Sequence, residues 1–288
     1  MAEIQLLPGI NINNNVIAPI PGLVDTMMDR EFNLDLVANT DHENMGADTL
    51  SFIIPDVSPI TVLDKADAVD NGCEPISYTC DGAVDNELEL TKYVREGRQM
   101  ATCPVNQVSP ELARRSLTIL TAKWAKARLV DALGTIEASF AAHPVVVGQE
   151  NILEIIEAMI VELELKGFSR EHVTVALGTK AASAARSLGF TADRLTSLEV
   201  SENTFDVKSV VDVGNYFKTV DIAVYVKDYV IAGSNCNREP EMYEGTEGFR
   251  GRTLISGEMV FGSGVIKVKP EGEEASEAIG LTYTIPVE

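Results

Sequence analysis

Basic residues are few in this sequence: 23 Lys and Arg stand against 44 Asp and Glu, which gives a net charge of −21 and an isoelectric point near 4.5. Affinity for DNA depends mainly on neutralising phosphates, so a chain this acidic is expected to repel nucleic acid unless its basic residues gather on one face. We therefore expect no sequence-specific binding of DNA, and we interpret the charge first as a source of solubility.

Cysteine and histidine are also scarce. The cysteines are Cys73, Cys80, Cys103 and Cys236, and no CxxC or HxxxH spacing accompanies them. Neither a disulfide scaffold nor a zinc site is predicted, and a reducing cytosol is the expected setting. The histidines are His42, His143 and His172. They lie in no motif, so we interpret each as a loop or surface residue and not as a metal ligand.

Long apolar runs are missing. The best candidate, "VDIAVYVKDYVIAG" at 220–233, is interrupted by charges well short of the roughly 18 residues that a membrane span needs. The first residues, "MAEIQLLPGININNN", lack a basic start followed by an apolar run, so we expect no signal peptide.

Catalytic motifs are missing as well. The sequence holds no GxSxG, which a serine nucleophile elbow would need, and no GxxxxGK[ST] or GxGxxG to cradle phosphates. We predict no catalytic residue, no cofactor or cofactor-binding residue and no metal ligand, and hence no enzyme. A soluble enzyme with dispersed catalytic residues is the less favoured alternative.

Two clusters of charged residues are candidate sites. Glu150, Glu154 and Glu157 lie close to one face of a predicted helix, where paired carboxylates could do acid–base work. Without a histidine or metal motif beside them, a solvated face is the favoured interpretation. Arg250 and Arg252 stand near two aromatic residues, Tyr243 and Phe249, and this basic–aromatic cluster is too weak to predict an anion site.

The most regular stretch present is "VSPELARRSLTILTAKWAKARLVDALGTIEASF" at 108–140, which predicts one long helix. Ser109 is a plausible N-cap and Pro110 suits the first helical position. Gly134 lowers the stability of a helix by about 1 kcal/mol relative to Ala, so the helix is expected to end or bend at this residue. Its five basic residues are interpreted as solvated or paired with carboxylates.

A compact α/β unit is predicted after this helix. Apolar residues spaced three and four apart indicate a second helix over 149–167, with Gly167 as its stop. The strand "HVTVAL" at 172–177 and a small-residue helix at 179–189 follow. Helix, strand and helix in quick succession are typical of such a unit.

The remaining segments predict extended structure. Residues 1–50 are interpreted as an arm, and 51–104 as a long hairpin with a polar tip. Strands are predicted over 205–213 and 219–233 and a polar loop over 234–252, and a last strand begins at Leu281. The segment 252–272 reads as a hairpin with Gly262 and Gly264 in or near its turn.

The order of these elements resembles the major capsid protein of tailed bacteriophages, the Hong Kong phage-type shell fold that encapsulins share. "LTKYVREGRQMATCPVNQVSPELARRS" looks like that family's passage from hairpin into spine helix. "ILEIIEAMIVELELKGFSREHVTVALGTKAASAARSLG" is similar to its axial domain, and "GRTLISGEMVFGSGVIKV" resembles the closing strands of its peripheral domain. The resemblance covers roughly residues 50–288.

The resemblance implies an α+β fold with four parts. They are an N-terminal arm (1–52), an extended hairpin loop (53–104), a peripheral domain with the spine helix (105–149 and 250–288) and an axial domain (150–249). No charged helical scaffold segment is found at the N-terminus, so a separate scaffolding protein, or none, is implied. No residues match the covalent cross-linking chemistry of some members.

The implied function is self-assembly, through hexamers and pentamers, into an icosahedral head shell that encloses double-stranded DNA. Portal and decoration proteins are possible further partners, no membrane is involved, and the implied location is the virion, assembled in the host cytoplasm. An encapsulin-like nanocompartment shell is the close alternative, and another virion component, such as a tail or decoration protein, is a third class. An acidic interior that keeps packaged DNA mobile is a hypothesis suggested by the net charge.

Overall fold

The computed structural model describes most of the chain between its terminal segments. The described residues are 16–17, 34–41, 49–54, 84–101, 107–108, 110–144, 151–188, 205–244, 252–268 and 276–286. Several sequence predictions concern residues outside these ranges, among them the polar hairpin tip at 55–83, the Ser109 cap, His42 and Arg250.

The described residues form a mixed fold of helices and several small sheets. The helices are α1 (Pro110–Ser139), α2 (Ile152–Leu165) and α3 (Thr179–Ser187). The strands are β1 (Val16–Ile17), β2 (Thr49–Ile54), β3 (Val84–Glu89), β4 (Lys92–Ala101), β5 (Gln107–Val108), β6 (Ala141–Ala142), β7 (Val173–Gly178), β8 (Ser209–Gly214), β9 (Ile222–Val226), β10 (Val230–Glu244), β11 (Arg252–Val265), β12 (Lys267–Val268), β13 (Glu277–Ala278) and β14 (Gly280–Tyr283). The predicted α+β class is confirmed.

A five-stranded sheet lies at the centre of the fold, with the strand order β6-β14-β9-β7-β8. β14 and β7 both run antiparallel to β9, whereas β6 pairs with β14 and β8 with β7 in parallel. The sheet thus takes β7, β8 and β9 from 150–249, and takes β6 and β14 from the segments before and after it.

The central sheet is buried on both faces, which explains why β7 and β9 are apolar without polar alternation. Val175 and Val224 point to one face, where α2 and α3 cover them. Ala176 and Tyr225 point to the other face, where the C-terminal half of α1 and residues 34–38 pack. Two hydrophobic cores therefore share one sheet.

The helix α1 buries two different faces along its length. Leu120 and Trp124 pack against Met259 and Phe261 of β11, whereas the stretch that includes Leu133 packs on the central sheet. At 3.6 residues per turn, the two buried faces are roughly 150° apart around the helix axis. The helix runs through Gly134 without ending there, so it spans about 45 Å and joins both sheets.

The helix α2 follows its sequence prediction closely. Asn151 caps it, since its side-chain oxygen accepts a hydrogen bond from the backbone N–H of Leu153 at 2.9 Å. Gly167 adopts φ 92° just beyond the last turn, a left-handed conformation that glycine takes at little cost, and this ends the helix as predicted. The predicted apolar stripe is confirmed as buried: Ile152, Ile155, Ile156, Met159 and Ile160.

The second sheet corrects two predictions, because β11 lies between β10 and β4 and is antiparallel to both. The predicted loop at 234–252 is wrong over 234–244, since β10 continues to Glu244, and 245–251 lie outside the described residues. This stretch is polar and holds Pro240, but β10 is an edge strand with two register irregularities, where proline is tolerated. The predicted hairpin at 252–272 is also wrong, since β11 is one unbroken strand to Val265.

Gly262 and Gly264 lie within β11 and not in a turn, because another strand crosses there. A β-carbon on Gly262 would lie 2.9 Å from the carbonyl oxygen of Glu89, and one on Gly264 would lie 2.9 Å from Cδ1 of Leu88. Glycines in a strand interior permit this close approach of a second backbone. The end of β3 therefore crosses directly over β11.

A 3₁₀ turn separates two strands that the sequence predicted as one. The predicted strand over 219–233 is broken at Lys227–Tyr229, where the chain leaves the central sheet. It joins the second sheet at Val230, which pairs with Val265. Apolar, β-branched residues lie on both sides of the turn, because the central sheet buries those before it and the second sheet buries those after it. The amino-acid composition therefore does not show where one strand ends and the next begins.

Residues 34–41 are held by the rest of the chain. Their 3₁₀ turn, Leu34–Leu36, packs in the same core as Leu133, and Asn39 pairs with the start of β10. The backbone N–H of Asn39 donates to the carbonyl of Val230 at 2.7 Å.

The predicted hairpin is present in part: β2 pairs antiparallel with β3, with Ile54 opposite Val84.

Candidate functional site

Within the described ranges, no group of three or more His, Cys, Asp or Glu side chains could hold a metal ion. His172 is exposed beside Glu171, as predicted. His143 lies in the irregular segment directly after β6, in agreement with the loop alternative of its prediction, but it is not a surface residue: only 6% of its side chain is exposed, and its Nδ1 lies 3.0 Å from Glu162 of α2. Its Nε2 is buried without a hydrogen-bond partner. His143 thus ties β6 to α2.

The acidic face of α2 is organised around one guanidinium. Arg170 donates to both carboxylate oxygens of Glu164, at 3.0 and 2.9 Å, and to Glu157 at 2.8 Å. These hydrogen bonds lower the pKa of the Glu164 carboxyl, outweighing the partial burial that would raise it. Glu157 is therefore one side of a surface ion-pair network, and Glu154 lies on the same helix.

A polar bridge joins α1 to β11. The hydroxyl of Ser263 donates to Asp131 at 2.7 Å, and the hydroxyl of Thr135 lies 2.7 Å from that of Ser263. Asp131 and Thr135 are four residues apart, so they lie on one side of the helix, facing the strand. Sequence reasoning missed this bridge, since β11 was predicted to turn at this point.

A second carboxylate on α1 holds a loop of the central sheet. Oε1 of Glu137 accepts hydrogen bonds from the backbone N–H groups of Lys218, Thr219 and Val220, at 2.6, 2.9 and 3.4 Å. Three successive amides around one carboxylate form an anion nest. This fixes the loop between β8 and β9 against the C-terminal part of α1.

Large apolar side chains are exposed on the outer side of the described fold. Leu165 at the end of α2 is 83% exposed and Val161, one turn earlier, is 39% exposed. Leu188, directly after α3, is 49% exposed. Leu165 and Val161 lie on the face of α2 opposite its buried stripe, so the fold of one chain does not use them.

The second sheet carries an exposed polar and aromatic face. Tyr93 of β4 is 56% exposed, and its hydroxyl donates to Glu258 of β11 at 3.0 Å. This hydrogen bond to a carboxylate raises the pKa of Tyr93 above its ordinary value. Arg95 lies directly opposite Glu258 in the register. The opposite face of the sheet is apolar and covers α1.

Comparison with known proteins shows similarity in fold but not in sequence family. No protein-family model and no curated protein matches the sequence. Among solved structures, one from Mycobacterium phage Che8 matches with a TM-score of 0.57 and 14% identity, over 88% of this chain and 91% of that one. The capsid of an empty GTA particle matches with a TM-score of 0.53 and 9% identity, over 99% and 96% of the two chains. The fold is that of tailed-phage major capsid proteins.

A third match, the capsid of the cyanophage P-SCSP1u, has a TM-score of 0.51 and 9% identity over 99% of this chain and 93% of that one. The resemblance drawn from the order of elements is therefore confirmed at the level of the fold.

None of the helices in the described part of the chain is long and apolar enough to cross a membrane.

Proposed function

We propose that this chain is a major capsid protein, which self-assembles into the icosahedral head shell around the double-stranded DNA of a tailed phage. The observation that carries the proposal is the extent of the structural likeness. It spans 99% of this chain and at least 93% of two capsid chains, so the whole molecule, not one module, has the capsid arrangement. The role proposed for the chain is structural, without catalysis.

Exposed apolar surface supports self-association. Leu165 and Val161 expose hydrophobic side chains on a helix whose other face already fills a core. Burying apolar surface stabilises an assembly by about 25 cal/mol per Å², and a shell repeats each contact many times. In a shell, the neighbours of each chain are copies of the same chain, so a second copy is the partner proposed for this surface.

The four-part division predicted from the sequence belongs to this proposal. We assign 1–52 to the arm and 53–104 to the hairpin loop that laps over a neighbour. We assign 105–149 with 250–288 to the peripheral domain and 150–249 to the region around the capsomer axes. A separate scaffolding protein, a portal and decoration proteins are proposed partners, DNA is enclosed without sequence-specific contacts, and assembly takes place in the host cytoplasm.

Light scattering after size-exclusion chromatography, together with negative-stain electron microscopy, tests the proposal on the purified chain. We expect hexamers, pentamers or closed shells whose fraction grows with protein concentration. The variant Leu165→Glu should unfold at the same denaturant concentration as the wild type but assemble less, because an 83% exposed side chain contributes little to the monomer. A chain that stays monomeric at every concentration and salt would contradict the proposal.

A further inference from the structure

A groove of about 690 Å³ lies along α1, between the two sheets. Its floor is formed by small residues of the helix, including Gly134 and Ala138, and by Ser263 of β11. Its walls carry Lys92, the first residue of β4, and Lys218 of the loop between β8 and β9. Apart from the adjacent residues and backbone of the helix itself, no atom lies within 4 Å of the position that a β-carbon on Gly134 would take, so the floor is open.

The two lysines of this groove are set apart from the other basic residues. Every other lysine or arginine whose side chain the structure describes makes a hydrogen bond, an ion pair, a ring contact or another electrostatic interaction. Within the same described part of the chain, the ammonium groups of Lys92 and Lys218 have none. Both are exposed, and both line one groove.

The backbone at each of these two lysines is held by the fold. The backbone amide of Lys218 donates to Glu137 at 2.6 Å, so the loop that carries this lysine is anchored to α1. Lys92 begins a strand that pairs with β11 along ten consecutive register positions, starting opposite Phe261. The carboxylate of Asp131 on the floor already accepts the Ser263 hydroxyl. Among the described residues no group pairs with the ammonium groups of the two wall lysines, so these groups can bind an incoming anion.

We propose that this groove binds an acidic segment of a second copy of the chain, whose carboxylates pair with Lys92 and Lys218. The inference rests on the proposed shell function. With 44 acidic and 23 basic residues per chain, carboxylates are in excess on every neighbouring copy. DNA is a poorer occupant, because two cations release few counterions and the chain as a whole carries a charge of −21.

Zero-length carbodiimide cross-linking identifies the occupant directly, because it joins an amine to a carboxylate only when the two are in contact. Assemblies are made from an equal mixture of ¹⁴N- and ¹⁵N-labelled chains and analysed by mass spectrometry. We expect isopeptide bonds of mixed isotope from Lys92 or Lys218 to Asp or Glu of another copy. Shells in which these lysines form only intrachain cross-links, or none, would overturn the proposal.

Charge reversal supplies the matched test. Lys92→Glu with Lys218→Glu is compared with Lys180→Glu plus Lys208→Glu, which changes the net charge equally at two exposed lysines that do not line the groove. We expect the assembled fraction of the groove variant to be at least tenfold lower than that of the wild type, with an unchanged unfolding midpoint. The control variant should assemble to a much larger fraction than the groove variant.

The outcomes separate the two proposals. If the wild type assembles and the groove variant does so equally well, the groove inference is wrong while the shell function stands. If the wild type never assembles, the shell function fails and the groove inference with it. A mobility-shift assay with double-stranded DNA completes the set: binding that the groove variant loses, without loss of assembly, would also overturn the inference.

Discussion

The hydroxyl of Tyr225 donates a hydrogen bond to the backbone carbonyl of Val37 at 2.8 Å, across a sequence separation of 188 residues. Tyr225 is fully buried, and burial raises the pKa of its hydroxyl far above the ordinary value, so the group is a neutral donor at any physiological pH. Its ring stacks on Phe140 with centroids 5.5 Å apart. One side chain thus joins residues 34–41, the central sheet and the end of α1.

Tyr225→Phe is expected to lower the free energy of unfolding by about 1–3 kcal/mol, because it leaves a buried carbonyl without its donor. The ring and its stacking on Phe140 are retained, so the loss reports the hydrogen bond. Denaturant unfolding followed by the fluorescence of Trp124, the single tryptophan, measures it. Tyr229→Phe is the control, since that half-buried ring makes an edge contact with Phe168 and should change stability much less. If both variants lose the same free energy of unfolding, the loss in Tyr225→Phe does not come from the hydrogen bond to Val37.

Three glycines should respond differently to alanine. Gly262→Ala places a β-carbon 2.9 Å from the carbonyl oxygen of Glu89, a backbone atom that cannot move away cheaply, so we expect a loss of about 1–3 kcal/mol. Gly264→Ala meets only the end of the Leu88 side chain and should cost less. Gly134→Ala has open space inside a helix and should gain up to about 1 kcal/mol.

Thermal unfolding of the three variants gives the ranking. A destabilised Gly134→Ala variant would show that α1 needs its glycine for a reason other than packing in the monomer, such as a contact in the groove. A neutral Gly262→Ala variant would argue against the close crossing of β3 over β11.

The helices could be predicted from the sequence because their signals are local. The three-and-four spacing of apolar residues in α2 and the left-handed position of Gly167 are written in the segment itself. The two buried faces of α1 are not local in this sense, because the helix meets two partners, and only the tertiary arrangement decides where the face with Leu120 gives way to the face with Leu133.

The second sheet could not be predicted in the same way. The residues before Glu244 are polar, yet they form a strand because β11 supplies the pairing partner, and an edge strand tolerates Pro240. Judged from the sequence alone, Gly262 and Gly264 indicate a turn. In the structure, glycine is needed at these positions because β3 crosses β11 there and approaches it closely. Pairing of charges is equally non-local, so nothing in the sequence distinguishes Lys92 and Lys218 from the other lysines.

Glu137 is expected to order the loop before β9. Glu137→Ala removes the acceptor of three backbone N–H groups and should cost about 1–3 kcal/mol. Glu137→Gln keeps an oxygen acceptor without the charge, so it should cost less. Amide hydrogen exchange at Lys218, Thr219 and Val220 measures the local effect. Unchanged protection of these amides in Glu137→Ala would show that the loop is held by other contacts.

The ion pair of Arg170 with Glu164 predicts a small pH dependence of stability. Because the pKa of Glu164 is lower in the folded chain than its usual 4.5, its contribution is fully present above that value. It is lost as the pH falls through the lower, folded-state pKa. Since the Glu164 side chain is 37% exposed, solvent screening limits the contribution to at most about 1 kcal/mol.

Arg170→Met should therefore be less stable than the wild type at pH 7, and the difference should shrink as the pH is lowered from 6 to 3. Urea unfolding of dilute protein, monitored by fluorescence at each pH, measures that difference. The matched variant is Lys208→Met, which removes a different exposed ion pair, with Asp228 at 3.0 Å, and so shows how the same type of substitution affects stability elsewhere on the surface. A gap between Arg170→Met and wild type that stays constant over this range would mean that Arg170 acts through its hydrogen bond to the carbonyl of Phe205, at 3.2 Å, and not through Glu164.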